Sequence, residues 1–136
     1  MGIEHGRAAE EGYRELNARR QLGRVWETLG RLELRLDHLD AAARLLEDAR
    51  QLQTQLGDGL GLARSSGALC DLLVRTENYP LALERLAESI ALNAQKGSRA
   101  GLEVNLASFS DLQSKLPPAL HDAARTLERR LRSQLS

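Results

Sequence analysis

Cysteine, lysine, aromatic residues and long apolar runs are all scarce in this chain, and each scarcity closes off an architecture or a chemistry. Cys70 is the only cysteine, which rules out an internal disulfide and leaves no thiolate set for a metal. A reducing, cytoplasmic setting is the simplest expectation. No stretch approaches the roughly 18 apolar residues of a membrane span, and the first residues carry neither the basic region nor the apolar core of a secretory leader. The 19 basic and 19 acidic residues cancel, so no overall field draws the molecule to nucleic acid or to an anionic membrane, and neither is expected as a partner. Lys96 and Lys115 are the only lysines. Nearly all positive charge therefore sits on guanidinium groups, which favour forked contacts with carboxylate or phosphate.

What the chain does contain is a repeat. Residues 21–60, QLGRVWETLGRLELRLDHLDAAARLLEDARQLQTQLGDGL, align without gaps on residues 61–100, GLARSSGALCDLLVRTENYPLALERLAESIALNAQKGSRA. Leu22 stands over Leu62, Leu29 over Leu69, Leu32 over Leu72, Ala42 over Ala82, Leu46 over Leu86, Leu52 over Leu92 and Gly57 over Gly97. A third unit opens at Gly101 with GLEVNLASFSDL, stays in phase through Leu112 and then gains one residue, so that Ala123 and Leu127 answer Ala82 and Leu86.

Within a unit the apolar residues recur at threes and fours, as in Leu29, Leu32, Leu36 and then Leu39, Ala42, Leu46, Ala49, Leu52, the stripe of an amphipathic helix. Each unit therefore predicts a helix pair. The turns inside the pairs, LDHLD, TENYP and KLPPALHD, are long enough only for antiparallel neighbours. Between pairs, Gly57 and Gly97 suit the left-handed residue that ends a helix, and Asp58 and Ser98 can cap the next one. At 136 residues the array makes one domain, divided as an N-terminal helix over 1–19 and repeats over 20–58, 59–98 and 99–136. Residues 7–36 are compatible with two helices, the first closing an earlier unit, or with one long helix, since no turn residue separates Asn17 from Arg20.

The stretch WETLGRLE followed by LDAAARLLEDA resembles a tetratricopeptide repeat, whose pattern is W-x2-L-G-x2-Y and then A-x3-F. Trp26, Leu29 and Gly30 match, Glu33 replaces the tyrosine, and Ala42 with Leu46 stands for the second element. Leu69, Cys70, Tyr79, Ala82 and Leu86 take these places in the second unit, and Phe109, Ser110, Leu120, Ala123 and Leu127 in the third. Small residues at Gly30, Cys70 and Ser110 suit close helix packing. The period of about forty is similar to that of the long subclass of the family. The resemblance covers residues 21–134 and implies an all-α fold, a right-handed superhelix of antiparallel pairs with six or seven helices.

Candidate chemistry is thin. Ser65, Ser66, Cys70 and Asp71 share a helix, but His38 and His121 lie in turns and His5 in the N-terminal segment, so no nucleophile meets a base and no enzyme, metal or cofactor is expected. The seam glycines lack the preceding strand of a phosphate loop. Tyr13, Trp26, Tyr79 and Phe109 fall at interior positions and read as packing, Cys70 as a buried inert thiol, and Arg129, Arg130 and Arg132 as a solvated helix end.

In the resembling family the first helix of each pair lines a concave groove that binds partner peptides. Carried onto this chain, that face holds Arg24, Glu27, Arg31, Leu34 and Arg35; Arg64, Gly67, Asp71, Val74 and Arg75; and Val104, Ala107, Asp111, Ser114 and Lys115. Basic groups outnumber acidic ones there although the chain is neutral. Members that clamp a chaperone's terminal carboxylate use Lys and Asn where Arg24, Arg31, Gly67 and Asp71 stand, so such a tail is not the expected ligand. The expected function is a protein-interaction scaffold taking a partner peptide or helix, acidic in character. The competing expectation is a self-association or regulatory domain of a larger signalling or transcription protein. Because an array exposes the flank of an end helix, a homodimer or end-to-end association is also expected.

Overall fold

A computed structural model describes the backbone of residues 2–136 and side chains from Ala8 onward; His5 lies outside the described side chains. Six α-helices form among the described residues, with no strand: α1 (Gly2–Arg35), α2 (Leu39–Leu56), α3 (Gly59–Arg75), α4 (Tyr79–Gln95), α5 (Arg99–Gln113) and α6 (His121–Leu135). Successive helices pack as neighbours, and α1, α3 and α5 also touch in order. The all-α reading and the adjacent pairing are thus present in the molecule.

The turns explain the spacing. Asp37 (φ 63°), Gly57 (φ 66°), Glu77 (φ 60°) and Gly97 (φ 66°) all adopt the left-handed conformation, one every twenty residues. At each, the N–H donates three residues back, and the following N–H donates five back: His38 to Glu33 O (2.9 Å), Asp58 to Gln53 O (3.0 Å), Asn78 to Leu73 O (2.8 Å) and Ser98 to Asn93 O (2.8 Å). This is the double bond pattern that satisfies the last carbonyls of a helix. Asp58 and Ser98 then cap the next helix, accepting from the N–H groups of Gly61 and Gly101. After α5 the metre fails, because Pro117 and Pro118 impose an extended residue and a short 3₁₀ turn, Pro118–Leu120.

Two apolar clusters hold the helices. One gathers Leu34 of α1, Ala42 and Leu46 of α2, and Ala68, Leu69 and Leu72 of α3. The other gathers Cys70 and Val74 of α3, Ala82, Leu86 and Ile90 of α4, Phe109 and Leu112 of α5, and Leu127 and Leu131 of α6. α3 serves both. Burial of Leu46 and Leu86 is complete, each contributing roughly 1.5–3 kcal/mol. Gly30 lets α1 approach α2 closely: a Cβ there would lie 2.7 Å from Leu46 Cγ.

The seams between pairs are polar, and they too repeat. The Gln53 amide, with its nitrogen turned toward Gly61 O (2.9 Å), Ala49 O (3.2 Å) and Ser65 Oγ (2.5 Å), joins α2 to α3. Forty residues on, Asn93 donates to Asn105 Oδ1 (2.8 Å), Asn105 to Ser89 Oγ (2.9 Å), and Ser89 to Ala63 O (2.7 Å). Every member of both seams is buried, so these bonds fix the register in which one pair sits on the next.

Of the two alternatives open for residues 7–36, the molecule takes the single long helix, because Ala, Glu, Arg and Leu fill that stretch and nothing in it breaks the backbone ladder. Other expectations change. Tyr13 is 70% exposed rather than interior, since Ala8–Gln21 runs past the end of α2 and is held only lightly, by half-buried Leu16 and by Arg19 donating to Gln55 at 3.4 Å. Leu22, Leu29, Leu32 and Leu36 are exposed because α1 turns a different face, Gly23, Glu27, Gly30 and Leu34, into the molecule. In α6 the buried alanine is Ala124 and not Ala123, three residues ahead of buried Leu127 where the earlier units use four; Ser110 is exposed, so the third small-residue position is not a close contact. Trp26 and Tyr79 are half-buried, and Phe109 is fully enclosed.

Candidate functional site

Residues of α1, α3 and α5, joined in the first by Ser89 and Asn93 of α4, line two adjoining open cavities of about 320 Å³ and about 440 Å³. Arg31, Ala68, Asp71 and Ser108 line both, so they mark the passage between them. Small residues make the floor possible: Ala63, Gly67 and Ala68 on α3, with Gly101 and Ala107 on α5, keep the backbones accessible. Leu60 and Val104 give the first cavity an apolar rim, both among the exposed large apolar residues.

Most of the residues expected in a groove meet here. Arg31, Arg64, Gly67, Asp71 and Val104 line the first cavity; Arg31, Leu34, Arg35, Asp71, Val74, Arg75, Ala107, Asp111 and Lys115 line the second. Three do not. Arg24 points to solvent outside both cavities, Ser114 is likewise exposed outside them, and Glu27 is buried beneath the wall, 4% exposed. Ser108, Asn105, Asn93 and Ser89 line the site without having been expected. The signal for Asn105 and Asn93 lay in the repeat itself, forty residues after Ser65 and Gln53, but unlike side chains hid it.

The charges are organised around Glu27. Arg64 Nε donates to its carboxylate at 3.1 and 3.3 Å, and Arg31 Nε stands 3.4 Å from Oε2. The Arg31 contact has ion-pair distance but not hydrogen-bond geometry, leaving that Nε buried without an acceptor. Arg31 Nη2 donates to Arg64 O at 3.1 Å, which holds the guanidinium across the wall. Two arginines thus share one carboxylate. Arg75 donates to Leu34 O and lies 3.7 Å from Asp37, Lys115 pairs with Asp111 at 3.2 Å, and Arg35 makes no ion pair among the described residues. Asp71 reaches solvent through the passage, yet the walls strip enough water to push its carboxyl above the ordinary carboxylate range, against the pull of Ser108, Arg31 and Arg75.

This arrangement can hold an anion with preset guanidinium forks, at little ordering cost. The thiol beside it, Cys70, is not activated. Desolvation first, then Asp71 and Asp111, push the Cys70 thiol up to about 12, and the side chain is fully buried. His38 sits 2.7 Å from Glu33 at the first turn and His121 lies 3.2 Å from Leu116 O, neither in a cavity wall. Among the described residues no helix is long and apolar enough to cross a membrane. The chain matches no protein-family model, no curated protein and no solved structure.

Proposed function

We propose that this chain is a non-catalytic interaction module of the tetratricopeptide kind, a right-handed stack of long helix pairs that binds an extended peptide carrying carboxylates. The site residues in this reading are Arg31, Arg35, Arg64, Asp71, Arg75, Asp111 and Lys115, with Glu27 as the anchor beneath them. One observation carries it: Arg31 and Arg64 converge on the single buried carboxylate of Glu27 beside the passage between the cavities, and the other carboxyl at that passage, Asp71, forms an ion pair with neither. A carboxylate entering the passage would complete that pairing, and the small-residue floor leaves room for a peptide backbone. A cytoplasmic location and a scaffold role belong to the same proposal.

The test is binding of an acidic peptide array, each member paired with its amide isostere, measured by fluorescence polarisation. Acidic members should bind, their Asn/Gln isosteres about tenfold or more weakly, with affinity falling as salt rises. Replacing Arg31 and Arg35 with Glu should remove binding while the circular dichroism spectrum is kept. Equal binding of acid and amide peptides would defeat the reading.

A further inference from the structure

The exposed large apolar residues gather in few places, and the longest series is on α1: Leu22, Val25, Leu29, Leu32 and, just past its end, Leu36. Their spacing alternates three and four, the a/d seam of a helix that pairs with another helix. The chain itself shows what such a seam is for. Forty residues on, the same register of α3 and the residue after it hold Leu62, Ser65, Leu69, Leu72 and Thr76, of which the middle three are buried against α2, Leu62 is half-buried and Thr76 is exposed. α1 presents the same seam with nothing over it among the described residues, and Leu29 and Leu32 remain 43% and 46% exposed.

We propose that the occupant is a second copy of α1, lying antiparallel across a two-fold axis. The flanking charges select this arrangement. An antiparallel pair centred between Val25 and Leu29 sets Leu22 of one copy against Leu32 of the other and brings Arg19 beside Glu33 twice, an attraction repeated by symmetry. A parallel pair would instead bring Arg14 of one copy beside Arg19 of the other, two like charges. Within the chain Arg19 has only a long hydrogen bond to Gln55 at 3.4 Å, while Glu33 contacts His38 at 2.7 Å through one carboxylate oxygen and leaves the other for a partner's guanidinium. Nor does α6 offer an alternative cover, since its outer face carries Arg125, Arg129 and Arg130, all exposed. The proposal stands independently of the peptide groove, which lies on another face of α1.

Trp26, the sole tryptophan, flanks the seam half-buried and reports on it. Sedimentation velocity over a dilution series should show a reversible dimer, with Trp26 emission moving to longer wavelength as the dimer dissociates. Leu29→Glu should give a monomer of unchanged helicity. Arg19→Glu alone should weaken the dimer about tenfold, and adding Glu33→Arg should restore it. A wild-type chain that stays monomeric at high micromolar concentration, or a dimer that Leu29→Glu leaves intact, overturns the proposal. Failure of the double reversal to restore affinity overturns the antiparallel arrangement.

Discussion

Asp37 and Glu77 hold a backbone conformation in which a Cβ costs about 1–2 kcal/mol, while Gly57 and Gly97 hold the same conformation without that cost. Glycine substitution removes the strain but frees the unfolded chain, which returns part of the gain. Glu77→Gly should therefore raise the unfolding free energy by about 0.5–1 kcal/mol in urea titration. Asp37→Gly should gain less, because it also gives up the loose, exposed contact with Arg75 at 3.7 Å. A loss in both variants would show that these turns are held by their side chains and not by backbone bonds. The same residues explain why only half of the period was legible in the sequence. Gly57 and Gly97 announce a break every forty residues, but Asp37 and Glu77 adopt that geometry in a different chemical guise. The twenty-residue metre emerges only from φ angles and the bonds they permit.

At the scale of elements, α2, α3 and α4 are tied by Glu88, which accepts Arg50 Nε (2.9 Å) and Nη2 (2.8 Å) and is also hydrogen-bonded by Ser66. Arg50 foremost, and Ser66 after opposing desolvation, hold the Glu88 carboxyl below its ordinary value of 4.5. A carboxyl with a lowered folded pKa lends stability in full above its unfolded value and loses it as pH falls through the folded value. Glu88→Gln should cost about 1–2 kcal/mol at neutral pH, and the gap to wild type should close as the solution is acidified below 4.5. Unfolding of both proteins across that range checks it; a constant gap would remove the pair from the account. The helix pairs themselves were readable, because Leu and Ala at threes and fours report a buried face wherever a neighbour exists. On α1 the pattern was readable but its neighbour was not. Leu29 and Leu32 carry the same signal as Leu69 and Leu72, and periodicity records that a face wants cover without recording what supplies it. In α6 the alanine buried beside Leu127 likewise stands three residues ahead of it and not four, a choice between two adjacent alanines that aligned letters do not make.

Across the whole molecule, order should fall away from the middle. α3 contributes to both apolar clusters and to both polar seams, whereas Ala8–Gln21 of α1 has almost no tertiary contact. A helix so unsupported is marginal in water. Hydrogen exchange read by mass spectrometry should find amides of α3 and α4 the slowest and those of Ala8–Gln21 the fastest in the free monomer; uniform protection would contradict this. The candidate site was legible to the extent that it depends on which helix face looks inward: Arg31, Arg64, Asp71 and Arg75 fall into place from register alone. Glu27 was assigned to the right face but the wrong depth, since only coordinates show two guanidinium groups closing over it.

The exposed flanks of α1 and α6 differ in wettability, and that asymmetry bears on what they can join. The α6 side is sheathed in arginines that give up hydration reluctantly, so it makes a poor counterpart for a leucine ridge. Growth from head to tail is thereby discouraged, and any assembly formed through the greasy flank exhausts its adhesive surface in one step, giving a closed particle in place of a filament.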